Sequence, residues 1–162
     1  MDQLPPKMII TEADLADAGV ILELQRTGYL SEAQLYNDFN LPPLTQTLAE
    51  LRASFADHTI LKAVVADRIV GTVRAREEAG TCRIGRLTVL PEYRRQGIGS
   101  QLMAAMEKRF PQVQRFELFT GEKSAANLRL YTRLGYRETK RKVLSAKVVL
   151  IFLEKRNSRP AL

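Results

Sequence analysis

The chain has 162 residues, 45% of them hydrophobic and 27% charged, a globular balance rather than a disordered one. Its net charge of +7 suits an anionic partner, whether nucleic acid, an acidic surface or a phosphorylated cofactor. One cysteine, Cys82, excludes an intramolecular disulfide, and one histidine, His58, excludes a Cys/His metal cluster, so no metal is expected.

Met8 to Ile10 read as a short opening strand. Thr11, with Asp14 three residues on, resembles a capping box and opens a helix. Leu15, Ala18, Leu22 and Leu24 give that helix an apolar face through about Gln25. Thr27 to Pro43 read as irregular and aromatic, with Tyr29, Tyr36 and Phe39, and contain a helical turn and then a loop closed by Pro42-Pro43. Leu48, Leu51 and Phe55 mark a second helix over about Gln46 to Ala56. Ile60 to Ala66 and Ile69 to Arg76 are β-rich runs joined at Asp67-Arg68, a hairpin signal. Glu77 to Gly80 make another turn, and Cys82 to Leu90 a further strand ended by Pro91. Ile98, Leu102, Met103, Met106 and Phe110 mark an amphipathic helix from about Gly97 to Arg109, stopped by Pro111. Arg115 to Thr120 form a strand. Ser124 is an N-cap candidate for a helix through Leu134, with Gly135 as its C′ residue. Tyr136 to Lys142 and Ala146 to Glu154 close the chain as two strands.

The order β-α-α-β-β-β-α-β-α-β-β implies one mixed α/β domain over residues 1–162, with its core at about 8–155 and a frayed tail at 156–162. No repeat, low-complexity segment or linker interrupts it. The N-terminus is polar, carries Pro5-Pro6 and has no apolar signal region. The longest apolar run, Val148 to Leu153, is far too short to span a bilayer. A soluble cytoplasmic protein with no membrane partner is expected.

The strongest chemical signal is Leu87 to Ser100. A strand ends at Pro91, a basic turn follows, and Gly97-Ile98-Gly99 opens a helix. A helix start presents unpaired N–H groups and the positive end of the dipole, and glycine there lets a phosphate approach the backbone. Arg94 and Arg95 add charge at the same place, which suits a pyrophosphate. A Rossmann fingerprint needs a third glycine where Leu102 stands, and a P-loop needs a Gly-Lys-Ser/Thr that is absent.

Arg94, Gly97 and Gly99 fit the acyl-CoA signature of the GNAT superfamily of acetyl-CoA-dependent N-acetyltransferases, whose core is Arg or Gln, two residues, Gly, one residue, then Gly or Ala. Arg86 to Tyr93 resemble the family's fourth strand and its exit. Asn127 with Leu130-Tyr131 and Leu134-Gly135-Tyr136 resembles its second motif. The resemblance covers residues 8 to 155. It implies a GNAT-like fold: a mixed, mostly antiparallel sheet of six to seven strands, flanked by about four helices and splayed between the fourth and fifth strands. It also implies acetyl-CoA as co-substrate. The pantetheine arm would enter the splay beside Leu87, Thr88 and Val89, and Arg94, Arg95, Gln96, Gly97, Ile98, Gly99 and Ser100 would hold the pyrophosphate. The Val89 N–H is the candidate oxyanion donor, a kind of group whose loss costs roughly 3–4 kcal/mol in the barrier.

By the same resemblance a primary amine attacks the thioester directly, Tyr131 acts as general acid, and Asn127 orients the pantetheine or the Tyr131 region. Many members of the family carry a glutamate on the fourth strand, where this chain has Arg83, Gly85 and Arg86. Glu117 and Glu32 are the substitutes, beside a water chain or an amine that arrives neutral. Gln25, Tyr29, Glu32 and Tyr36 would wall the acceptor pocket, and an aromatic, mildly acidic wall suits a cationic amine. His58 reads as a surface or capping residue and Cys82 as packing. Lys140-Arg141-Lys142 reads as a solvated turn or a contact for the CoA 3′-phosphate.

Two rivals share these residues. One is an acyl-CoA-binding sensor without turnover, favoured by the missing fourth-strand carboxylate. The other is a basic nucleic-acid module, against which stands the scatter of the basic residues and the lack of a nucleic-acid motif, so no nucleic acid is expected. An apolar last strand at a sheet edge would allow a homodimer.

Overall fold

The structure is a computed structural model that describes residues 7–158. Seven strands form one sheet in the order β1-β2-β3-β4-β5-β7-β6. They are β1 (Met8–Glu12), β2 (Thr59–Val65), β3 (Arg68–Glu78), β4 (Thr81–Val89), β5 (Arg115–Gly121), β6 (Arg137–Val143) and β7 (Val149–Arg156). Every neighbouring pair is antiparallel except β4 with β5. Five helices accompany them: α1 (Ala18–Tyr36), α2 (Pro42–Thr45), α3 (Leu48–Ser54), α4 (Ile98–Lys108) and α5 (Ala125–Arg133). This is the fold class that the sequence resemblance implies, with one more short helix than expected.

Local chemistry explains the short connections. The β2–β3 turn places Ala66 and Asp67 at φ 49° and 64°, the mirror-image turn geometry that matches strand twist. Asp14 caps a single 3-10 turn, Leu15–Asp17, with a reciprocal bond from Asp17, and α1 starts directly after it. Thr47 and Glu50 form the same box at the start of α3.

The first helix differs from the sequence expectation. It does not end near Gln25 but continues unbroken to Tyr36, so Thr27 to Tyr36 are helical rather than irregular. Gly28 lies where α1 crosses β4, and a Cβ there would overlap Thr88 Cγ2. Close packing, not helix propensity, decides that position.

The two faces of the sheet follow from register. Gly71 pairs with Val89 and Thr72 with Thr88, so these pairs point to opposite faces. On the Gly71 face α4 packs its fully buried Leu102, Met103 and Met106 into the main core, and each such side chain stabilises by about 1.5–3 kcal/mol. On the Thr88 face lies α1, which joins α3 through Ala18, Ile21, Leu22 and Leu51.

The last strand is not an edge. β7 pairs with β5 on one side and β6 on the other, so the edges are β1 and the wholly exposed β6. The apolar run of β7 is apolar because it is interior, which removes the edge argument for a dimer. Lys140, Arg141 and Lys142 lie on β6 rather than in a turn. Of the expected tail, Arg156 ends β7, and residues 159–162 lie outside the described residues.

Candidate active site

The sheet opens between β4 and β5. Their pairing runs only from Thr81↔Arg115 to Arg83↔Glu117, and beyond that point β4 has no neighbour on the β5 side. A bulge reshapes the same part of β4. Register against β3 shifts between Thr72 and Arg74, and Arg86 adopts φ 54° there. Past the bulge, the Leu90 N–H donates to the Val70 carbonyl at 2.8 Å. By alternation the Val89 N–H then faces the gap.

The start of α4 borders this gap. Gly97 at φ 81° precedes the helix, and the first intrahelical bond is Gln101 N–H to the Gly97 carbonyl. Among the described residues, none of the backbone N–H groups from Arg95 to Ser100 has a protein acceptor. Arg95, Gly97, Ile98, Gly99 and Ser100, though not Gln96, line a cleft of about 890 Å³ together with Leu87, Val89, Asn127 and Leu130. Arg95, Arg129 and Arg133 line it without an ion-pair partner among the described residues. Free amides and unpaired guanidiniums in one cleft fit the phosphates of a coenzyme A. Arg129 and Arg133 escaped the sequence reading. They sit one helical turn apart on α5, and only the fold brings that face opposite α4.

Two of the residues expected at the cofactor, Arg94 and Thr88, hold the scaffold together here. Arg94 turns its guanidinium inward, donating to the Val89 carbonyl at 3.2 Å and the Gly28 carbonyl at 3.0 Å. It ties the loop to β4 and α1. Thr88 is buried, donates to the Arg86 carbonyl at 3.0 Å, and packs its methyl against Gly28.

A second cleft, of about 590 Å³, opens on the α1 face, and Tyr29, Glu32, Leu87 and Asn127 border both. Tyr131 lines this second cleft from α5. It is buried, its ring meets Tyr136 edge-on at 6.1 Å, and its hydroxyl makes no hydrogen bond among the described residues. Burial raises its phenol well above the usual range, helped by Tyr29 and Glu32, so the proton stays on at neutral pH. Asn127 Nδ2 donates to Thr120 Oγ1 at 3.3 Å.

Of the two candidate carboxylates, only Glu32 is at the clefts. Its Oε2 accepts from Ser124 Oγ at 2.6 Å. Ser124 in turn takes the Tyr36 hydroxyl at 2.8 Å, and that oxygen accepts the Lys123 N–H. Glu117 instead pairs with Arg83 at 3.3 Å, where β4 and β5 are still joined. His58 lines the second cleft, held by Asp57 at 2.6 Å. Cys82 is packed in the core, and burial pushes its thiol up to about 12, which removes it as a nucleophile. Three of the four residues expected to form the acidic, aromatic wall do so. Tyr29, Glu32 and Tyr36 face the cleft, while Gln25 is buried against the Pro43 carbonyl at 2.8 Å, and Arg74, Arg76, Arg83 and Arg86 line the opposite side. No group of metal-binding side chains occurs among the described residues, and no described helix is long and apolar enough to cross a membrane.

Comparison with known proteins agrees with this geometry. The profile of the acetyltransferase (GNAT) family matches residues 24–136. The uncharacterized protein YyaT of Bacillus subtilis (strain 168) is 28% identical over 160 residues, covering 94% of this chain and 96% of that protein. Among solved structures, a proposed acetyltransferase of Acinetobacter baylyi ADP1 superposes with a TM-score of 0.80 at 18% identity, covering 97% of each chain. YncA of Salmonella typhimurium, a proposed acetyltransferase solved with its cofactor acetyl-CoA, gives 0.71 at 19% identity, covering 96% of this chain and 97% of that one.

Proposed function

Because this chain belongs to the acetyltransferase (GNAT) family, we propose that it moves an acetyl group from acetyl-CoA to a primary amine by direct attack. The row of amides from Arg95 to Ser100, unpartnered among the described residues and lying beside three arginines with no ion pair among them, carries this reading. Acetyl-CoA, when bound, supplies a thioester acetyl group and a phosphate-rich tail. The similar fold of YncA, solved with acetyl-CoA, supports that choice.

Arg95 to Ser100 hold the pyrophosphate through backbone N–H groups, and Arg94 keeps their loop in place. Arg129 and Arg133 neutralise the remaining phosphate charge. Leu87, Thr88 and Val89 border the gap between β4 and β5 where the pantetheine arm lies, and Asn127 closes it from α5. The Val89 N–H donates to the carbonyl oxygen that gains charge. Tyr131 carries the proton that the departing sulfur takes. Glu32 takes the proton from the amine, with Ser124 Oγ fixing its carboxylate. It reaches the site from α1 rather than β4, which answers the missing fourth-strand glutamate.

Titrating the purified protein calorimetrically with acetyl-CoA, with dephospho-CoA and ATP as controls, tests the cofactor. Saturable binding followed by thiol release with an amine supports transfer. Binding with no release from any amine would leave a sensor, and no binding at all would sink the reading.

A further inference from the structure

The second cleft holds two arginines, Arg74 and Arg86, that make no ion pair among the described residues. Arg74 lies two residues from Thr72 on β3, and therefore on the same α1 face. The bulge sets Gly85 opposite Arg74 and turns Arg86 out at φ 54° beside it. Both side chains are half-buried and line the cleft with Tyr29, Glu32 and Tyr131.

Their neighbours differ. Arg76 has Asp57 at 3.8 Å and Glu78 at 3.6 Å, and Arg83 has Glu78 and Glu117, each at 3.3 Å. Arg86 meets only a neutral acceptor, donating to Gln46 Oε1 at 3.1 Å, an oxygen that already takes Gln25 Nε2 at 3.0 Å. Arg74 makes no hydrogen bond or ion pair among the described residues. Burial, and then the charge of Arg86, pull the Arg74 guanidinium down to about 10. Two adjacent, partly desolvated like charges with no ion pair cost free energy that an anion would return. Arginine forks match a carboxylate in two-point geometry. Leu41, Pro43, Leu118, Phe119, Val148 and Leu150 supply an apolar stretch of the wall, beside His58, Thr120 and Asn127.

We infer that Arg74 and Arg86 form a carboxylate-binding subsite, and that the acceptor is a primary amine bearing a carboxylate and an apolar body, as an apolar amino acid does. The inference rests on the transfer reading for where the amine sits. It replaces the cationic acceptor suggested by the first helix alone. The Arg74–Arg86 pair takes the carboxylate, and the amine is left toward Glu32 and Tyr131.

Binding tests this without turnover. The probes are N-acetyl-phenylalanine, its decarboxylated counterpart N-acetyl-phenethylamine, and N-acetyl-phosphoethanolamine, each titrated calorimetrically into the full chain. The carboxylate probe should bind at least roughly tenfold more tightly than the decarboxylated one, as expected for charged hydrogen bonds. Arg74→Gln should erase that preference. Its Tm should hold or rise, because the substitution removes a repulsion and no contact, whereas a structural role would lower it. Thiol-release assays with phenylalanine against phenethylamine should show the same preference in kcat/KM. Equal or weaker binding of the carboxylate probe, a preference for the phosphate probe, or a preference that survives Arg74→Gln would each overturn the subsite. Acetyl-CoA binding measured in parallel separates that failure from failure of the transfer reading.

Discussion

Gly28 on α1 and Thr88 on β4 touch so closely that no side chain fits between them: a Cβ at position 28 would overlap Thr88 Cγ2. The contact fixes the distance between the helix that supplies Glu32 and the strand that lines the splay. Gly28→Ala should therefore destabilise the protein by about 1–3 kcal/mol, the usual cost of overpacking, read by urea denaturation. The Gly28 carbonyl also accepts Arg94 Nη2, so acetyl-CoA affinity should fall with it. Thr88→Ser removes the methyl but keeps the hydroxyl bond to the Arg86 carbonyl. The double variant should recover most of the loss. Simple additivity of the two single effects would show that this contact is not the cause.

Gly99 is constrained differently. A Cβ there would meet Leu130 Cδ2 at 3.5 Å and Leu87 Cδ2 at 3.7 Å, ordinary contact, so the fold does not require glycine. Gly99→Ala should keep the wild-type Tm. Gly99→Glu should also fold, yet abolish acetyl-CoA binding by placing a carboxylate among the free amides at the start of α4. Wild-type affinity in the glutamate variant would move the cofactor site elsewhere.

Local chemistry made part of this molecule legible in sequence. The strand, basic turn and glycine-opened helix from Leu87 to Ser100 are contiguous, so their free amides could be expected before any coordinates, while the splay follows only from the family resemblance. The turn at Asp67 and the cap at Ser124 are equally local, although the Ser124 hydroxyl turns from capping to Glu32. What stayed hidden depends on contacts between distant segments. Gly28 stands in a stretch that reads as irregular, and only the fold sets it against Thr88 within an unbroken α1. Arg74 and Arg86 converge only through the β3–β4 register and its bulge. The sequence offers Glu32 and Glu117 alike, and only the fold brings Glu32 to the clefts and joins Glu117 to Arg83. The insertion of β7 between β5 and β6 is likewise topological, and an apolar strand at the end of a chain reads the same whether it is interior or edge.

Tyr131 should separate chemistry from folding. Its hydroxyl has no hydrogen-bond partner among the described residues, so Tyr131→Phe should retain acetyl-CoA affinity while lowering kcat roughly a hundredfold, the scale of general-acid catalysis. A second signature is thermodynamic. Burial raises the folded phenol above the value of about 10 that the unfolded chain shows. The associated stability is fully present below that value and is lost as pH rises above it toward the folded pKa, because the unfolded state then releases a proton that the native state keeps. Wild-type Tm should fall more steeply than that of Tyr131→Phe above about pH 10. Parallel curves would show that the phenol is not shielded.

Glu32 and Glu117 offer the sharpest contrast at the site, since both are carboxylates within reach of the splay in sequence terms and only one lines it. Glu117 is committed to Arg83 at 3.3 Å, beside the last joined pair of β4 and β5. Glu32 is held by Ser124 at 2.6 Å, at the end of a chain of donors running from the Lys123 N–H through Tyr36. Glu32→Gln keeps a side-chain oxygen for Ser124 but cannot take up a proton. It should lower kcat/KM at neutral pH by roughly a hundredfold, as removal of a general base does. The deficit should shrink as pH rises, because an amine with a pKa of about 10 then arrives neutral and needs no base to free its lone pair. Glu117→Gln should instead act on stability through the lost Arg83 pair and leave the shape of the pH profile unchanged. A Glu32→Gln deficit that is constant with pH would assign the residue to positioning, and a changed profile in Glu117→Gln would transfer the role of base across the splay.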